Sequence, residues 1–294
     1  MSTTSDERSR RPQRSPWKMA GLVAVGLLTV TTLGACRRPP TTTPTTTGPT
    51  TPTSQGSTTS RPPGTPTTQR PPSGGGNQTV TATIRVTGNY DGGGKTFKGG
   101  GNLGSGGDGE GKEPLFLLSP GATISNLRIG APASDGIHCT GTCTIRNVVW
   151  EDVLDDAATL KGSSAGDVMT IDGGSAAKAS DKVFQHNGPG KVVIKNFTVS
   201  NFGKLYRSCG NCSNNGFARH VEISNVTAIG PGKELAGINI NYGDTATFSN
   251  VTVRSDPDRK IKPCGFYTGV RSGEPGKANA DNSKCRGTAT IRWQ

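Results

Sequence analysis

Residues 124–148 run ISNLRIGAPASDGIHCTGTCTIRNV, and the tetrads at the two ends, Ile124-Ser125-Asn126-Leu127 and Ile145-Arg146-Asn147-Val148, decide the fold. The unit returns as Ile194-Lys195-Asn196-Phe197, Ile223-Ser224-Asn225-Val226 and Phe248-Ser249-Asn250-Val251, with a degenerate copy at Ile171-Asp172-Gly173-Gly174. The third positions are Asn126, Asn147, Gly173, Asn196, Asn225 and Asn250, and such near-regular recurrence marks a solenoid. Each unit is β-branched, alternating and bounded by Gly or Asn. Leu is scarce, so the repeat is not leucine-rich and the solenoid is all-β. Alternation sends one side chain inward and the next outward. The expected architecture is a right-handed parallel β-helix, its recurring Asn forming an internal hydrogen-bonded ladder at one corner. A β-sandwich is the competing architecture, since it too uses short strands at regular spacing.

A narrow solenoid core explains the composition. The 294 residues include 43 Gly and 20 Pro, with 30% hydrophobic and 5% aromatic. A helix bundle is disfavoured by that glycine content. A polytopic membrane protein is excluded, because only one apolar run approaches spanning length. Gly and Asn supply the turn positions that a coil needs at each corner.

Everything up to Gln78 reads as address and tether. A basic segment is followed by the apolar stretch Met19 to Leu33 and then by Leu33-Gly34-Ala35-Cys36, the order of an export signal. Those last four residues look like the lipobox of bacterial lipoproteins. Residues 1–36 are therefore expected to be a lipoprotein-type signal with Cys36 as the lipidation site, and an ordinary signal cut after Ala35 is the alternative. Residues 37–78 are almost wholly Thr, Pro, Ser and Gly, with nothing to bury, and read as a disordered linker. Residues 79–294 are the catalytic β-helix, expected outside the cell as a monomer and held to the membrane only through the lipid.

Removing the tether revises the charge. Nine Lys and Arg against two acidic residues precede residue 79, so the formal +12 becomes about +5 for the folded part. That is too mild to argue for nucleic acid, but it suits an acidic polymer if the positive groups cluster. With Cys36 set aside, six cysteines remain. In an exported domain they read as disulfides, by proximity Cys139/Cys143, Cys209/Cys212 and Cys264/Cys285, although other connectivities stay open. A zinc site from Cys139, Cys143, Cys209 and Cys212 is the competing reading.

Gly92-Gly93-Gly94-Lys95-Thr96 resembles the end of a phosphate-binding loop, but Asn89 stands where the pattern needs Gly, so it reads as a turn. His138, His186 and His220 lack metal-ligand spacing and read as structural. The informative cluster is charged. Asp135 precedes Asp155 and Asp156 by about one coil, Asp156 precedes Lys182 by another, and Lys182 precedes Lys204 by a third. Stacked coils would gather these acids and bases, with Lys161 and Arg207, into one patch.

The stretches DGIHC (135–139), WEDVLDDAATLKG (150–162), DKVFQHNG (181–188) and FGKLYRSCGNC (202–212) resemble the pectate lyases of polysaccharide lyase family 3. The resemblance runs from about Val80 to the C-terminus. It implies a single-domain parallel β-helix that cleaves de-esterified pectin with calcium. One position departs from the pattern: many members carry Glu where this chain has Asp155, one methylene shorter.

The residues suit that chemistry on their own terms. β-Elimination on polygalacturonate removes the C5 proton beside a carboxylate that is already negative. A Ca2+ ion, a hard cation served by oxygen ligands, can draw off that charge. Asp135, Asp155 and Asp156 are the expected metal ligands. The proton acceptor must be basic, and a Lys starting near ~10.4 is brought within reach by neighbouring cations. Lys182 is expected to be the base, with Lys204 and Arg207 clamping substrate carboxylates and stabilising the enolate-like transition state. Lys204 and Lys182 are interchangeable at this level, and Lys161 is a further candidate for substrate binding or for the calcium shell. Two other functions compete: a pectin hydrolase using paired Asp, and a non-catalytic, surface-anchored pectin-binding protein.

Overall fold

The computed structural model describes residues 72–104, 113–153 and 156–294. The expected export signal, Cys36 and almost all of the tether lie outside the described residues, as does Asp155.

The tetrads place their first residues in one continuous column. Ile124 pairs in parallel with Ile145, Ile145 with Ile171, Ile171 with Ile194, Ile194 with Ile223, and Ile223 with Phe248. All six are buried. Each such side chain contributes about 1.5–3 kcal/mol relative to exposure, so the column is a large part of what holds successive coils in register. The result is a parallel β-helix. Among the described residues only one strand pair is antiparallel, Lys262–Thr268 with the short Gly276–Lys277. Helix among the described residues is confined to three single 3-10 turns.

The expected Asn ladder is present, with one correction: it is not internal. Asn147 donates to Asn126 at 3.0 Å, Asn225 to Asn196 at 3.2 Å and Asn250 to Asn225 at 2.7 Å. These side chains line the outside of the corner, where Asn196, Asn225 and Asn250 are exposed. The backbone explains it. All five Asn lie at φ between 50° and 55°, so the chain swings the side chain out of the strand's inward–outward alternation. In the degenerate copy Gly173 takes the same left-handed position at φ 77°, and Asp172 replaces the missing amide by accepting from Asn196 at 2.8 Å. The glycine run near the start is likewise a turn, with Gly93 and Gly94 both at positive φ between the strands Asn89–Asp91 and Thr96–Gly99.

A second face of the coil carries Phe116, Ile137, Ala158, Phe184, Tyr206 and Ala236, paired in sequence and all buried. Inside it Phe184 packs edge-on to Trp150 and Phe197, with ring centroids 5.8 and 5.3 Å away. This face supports the charged patch. The three disulfides are Cys139–Cys143, Cys209–Cys212 and Cys264–Cys285, as sequence proximity suggested, which leaves no zinc site in the first four.

The three histidines all have side-chain partners. His138 Nε2 faces Asp135, His186 Nδ1 faces the Tyr206 hydroxyl and His220 Nδ1 faces Thr245. Burial, and next the charge of Arg219, push His186 down to about 3. Its ordinary value is near 6.5, so as pH falls below ~6.5 the unfolded chain takes up a proton that the folded chain refuses until about pH 3. Stability should therefore drop over that window by up to about 1.4 kcal/mol per pH unit from this group. Urea unfolding at several pH values checks it: His186→Gln should start less stable at pH 7 and show a slope shallower by about that amount.

Candidate active site

Lys182 and Lys204 are rung partners on adjacent coils, in the strands Val168–His186 and Thr198–Ser208. Gln185 and Arg207 form the next outward rung of the same pair. The register shifts between Ala179 and Lys182, and this irregularity lets Asp181 and Lys182 both face outward where strict alternation would bury one. Asp181 then sits between the two amines. Its Oδ2 is 3.2 Å from Lys182 Nζ and its Oδ1 is 2.5 Å from Lys204 Nζ. Burial pushes the Asp181 carboxyl up, but the hydrogen bond from Lys204 and the charges of both lysines outweigh it and hold the group below the ordinary carboxylate value. Lys204 does neighbour Lys182, but the expectation that cations dominate around Lys182 needs correction, because the charge interposed between them is an anion.

Asp156 is the second carboxylate at Lys182, with Oδ1 3.8 Å from Nζ. It lies two residues ahead of Ala158, and Asp135 two ahead of Ala158's rung partner Ile137, so the two acids reach the same edge of the face on neighbouring coils. Asp135 is oriented by the buried His138, whose Nε2 is 2.8 Å from Oδ2. This donor set of carboxylate oxygens fits a hard cation such as calcium. Among the described residues no group of three acidic, Cys or His side chains forms a metal cluster, and the third expected ligand, Asp155, is outside them.

Arg207 is almost fully enclosed, 6% exposed. Its Nη1 donates to the Ser208 carbonyl at 2.6 Å and to Asn239 Oδ1 at 2.9 Å. Those acceptors are fixed by the buried Asp244, which receives bonds from Ser208 Oγ and Asn239 N. Burial pulls Arg207 down, against the opposing charges of Tyr267, Asp244 and Glu234. The Cys209–Cys212 disulfide closes the turn that follows it.

Asp181, Lys182, Gln185, Lys204, Arg207 and Tyr267 line an open cleft of about 350 Å³, together with Gly210, Asn211, Glu274 and Pro275. Lys161 is exposed, one residue past the strand Ala158–Leu160, and is not among the residues that line the cleft. Sequence reasoning missed Asp181, Glu234 and Tyr267. Asp181 was visible as the neighbour of Lys182. The other two had no signal, because they reach the site only through coils of different length. The cleft thus offers two amines and a guanidinium, with Asp181 lodged between the amines, and suits a substrate that is itself an acid.

A pectate lyase family model matches residues 67–274. A probable pectate lyase E of Neosartorya fischeri is 53% identical over 178 residues, which is 60% of this chain and 69% of the relative. The catalytic domain of pectate lyase PelI from Erwinia chrysanthemi superposes with a TM-score of 0.63 at 36% identity, covering 74% of this chain and all of that one. The PelI structure in complex with tetragalacturonic acid gives 0.61 at 35% identity, over 74% of this chain and 70% of that one.

Proposed function

Since the chain belongs to the pectate lyase family and is a polysaccharide lyase, we propose that it cleaves de-esterified homogalacturonan by calcium-dependent β-elimination, with Lys182 as the base. The observation that carries this reading is Lys182, Lys204 and Arg207 arrayed on two adjacent coils around one cleft, with Asp156 beside Lys182. A tetragalacturonate ligand in the PelI relative supports the substrate class.

Asp135, Asp155 and Asp156 are the residues that would hold calcium, which when bound supplies positive charge against the substrate carboxylate. The chain's own groups do the rest. Lys182, as the neutral amine, takes the C5 proton. The electron pair of the broken C5–H bond forms the C4–C5 double bond as the C4–O bond breaks. The leaving oxygen departs with its electron pair and takes a proton from solvent. Lys204 and Arg207 bind the sugar carboxylates, Arg207 through the planar fork that suits a carboxylate, and stabilise the charge that builds up beside C5. Asp181 competes for the same two lysines in the free protein, so substrate carboxylates enter by displacing it. Products are 4,5-unsaturated oligogalacturonates. Residues 1–36 with Cys36 serve in this proposal as the export and lipid-attachment segment, and 37–78 as a tether holding the enzyme at the cell surface.

The test is an incubation with polygalacturonate, with and without a chelator, following ultraviolet absorbance. The expected result is a rise in absorbance that stops with chelator and returns with added calcium. New reducing ends without absorbance would point to a hydrolase, and retention of polymer without cleavage to a binding protein. Either would overturn the proposal.

A further inference from the structure

Two glycines open a space beside Arg207. Its rung partner is Gly237, and the next rung is Gly265. A Cβ at Gly237 would come 2.7 Å from Arg207 Cδ, and one at Gly265 would collide with the Glu234 carboxylate. The room at Gly265 takes the Glu234 carboxylate, and the room at Gly237 borders the Tyr267 ring, whose centroid lies 3.9 Å from Arg207 Cζ. That ring is itself pinned. Its hydroxyl donates to Glu234, with both carboxylate oxygens within 3.0 Å, and accepts from Lys277 Nζ at 2.7 Å. Glu234 is buried at 7% exposure, so its carboxylate is a fixed anchor. Burial, with the charge of Glu234, pushes the Tyr267 phenol up to about 12, and it stays a donor at every working pH.

Hydrogen bonds among the described residues engage Nη1 of Arg207 only, so nothing of that kind holds the Nε and Nη2 edge. The ring lying against the guanidinium face is what steadies that edge. Resting on the proposed role of Arg207 at the substrate carboxylate, we infer that Tyr267 is a positioning residue. Locked by Glu234 and Lys277, it sets the plane in which the guanidinium meets the substrate. The antiparallel pairing of Tyr267 with Lys277 sets the amine beside the ring, and Glu234 reaches the hydroxyl from the preceding coil.

The experiment uses the whole enzyme on polygalacturonate with calcium, with circular dichroism as the fold check. Tyr267→Phe, which keeps the ring and loses the hydroxyl, should lower kcat about threefold. Tyr267→Leu should lower it about thirtyfold with little change in KM, the scale of a desolvated cation–π contact. In an Arg207→Ala background, Tyr267→Leu should cost less than about threefold more, since its effect runs through Arg207. The Arg207 side-chain Nε–H resonance should be sharp in the wild type and averaged in Tyr267→Leu. Full activity of Tyr267→Leu, or an equal loss in both backgrounds, overturns the inference. If Arg207→Ala itself stays active, the substrate role of Arg207 fails instead. The resonance then decides separately whether Tyr267 orders the guanidinium.

Discussion

Lys182→Ala should lower turnover on polygalacturonate on the order of a thousandfold, within the range of a lost general base, while circular dichroism and calcium binding stay unchanged. The side chain is 17% exposed, and it reaches the cleft between Asp156 and Asp181. On truncation Asp181 keeps Lys204 as its partner. Since the neutral amine is the acceptor, the wild-type rate should climb as pH rises from ~6 toward ~10, the side of the titration where a lysine sheds its proton. The residual rate of the variant should be flat over that range. A normally folded, active Lys182→Ala would move the base role elsewhere, with Lys204 the first alternative. A wild-type rate that falls steadily with pH while the protein stays folded would rule out an amine base altogether.

Arg207→Lys should cost about 10²–10³-fold in kcat although the charge is retained, a loss comparable to removing one preorganised transition-state donor. A lysine amine presents a point charge, without the planar fork. It also cannot hold the Ser208 and Asn239 acceptors and the Tyr267 ring face at once, as the guanidinium does. The buried Asp244 network behind those acceptors would remain, so the variant should fold. Steady-state kinetics on polygalacturonate read the effect. A kcat within threefold of wild type would mean that the fork geometry contributes nothing to the step.

The fold was legible because a solenoid writes its register into the sequence. Ile124, Ile145, Ile171, Ile194, Ile223 and Phe248 fall into one column in the protein as they do along the sequence. What the text could not say was which way Asn126 and its equivalents point, since a left-handed residue breaks the alternation on which inward and outward assignments rest. The site was half legible for the same reason. Lys182, Lys204 and Arg207 lie close together along the chain, and a single short coil pairs the lysines. Glu234 and Tyr267 belong to longer coils, which reach Arg207 through its rung partner Gly237 and then through Gly265. The Asn tetrads mark a different corner, and their spacing from Asn225 to Asn250 falls short of the lap from Gly237 to Gly265. Asp181 stood in plain view beside Lys182, but its outward-facing side chain depends on the register shift before Lys182, which no alternation rule anticipates.

Coil length varies, from the short lap between Ile137 and Ala158 to the longer one between Lys204 and Glu234, yet the rungs stay aligned. The surplus is absorbed at corners, and the site draws its members from several laps of the chain. Insertions at a corner therefore leave the chemistry in place. A one-residue slip inside a strand would turn a whole row of cleft side chains inward. The scaffold thus separates two kinds of inheritance: the perimeter is free to drift in length, while the rungs can change only in identity.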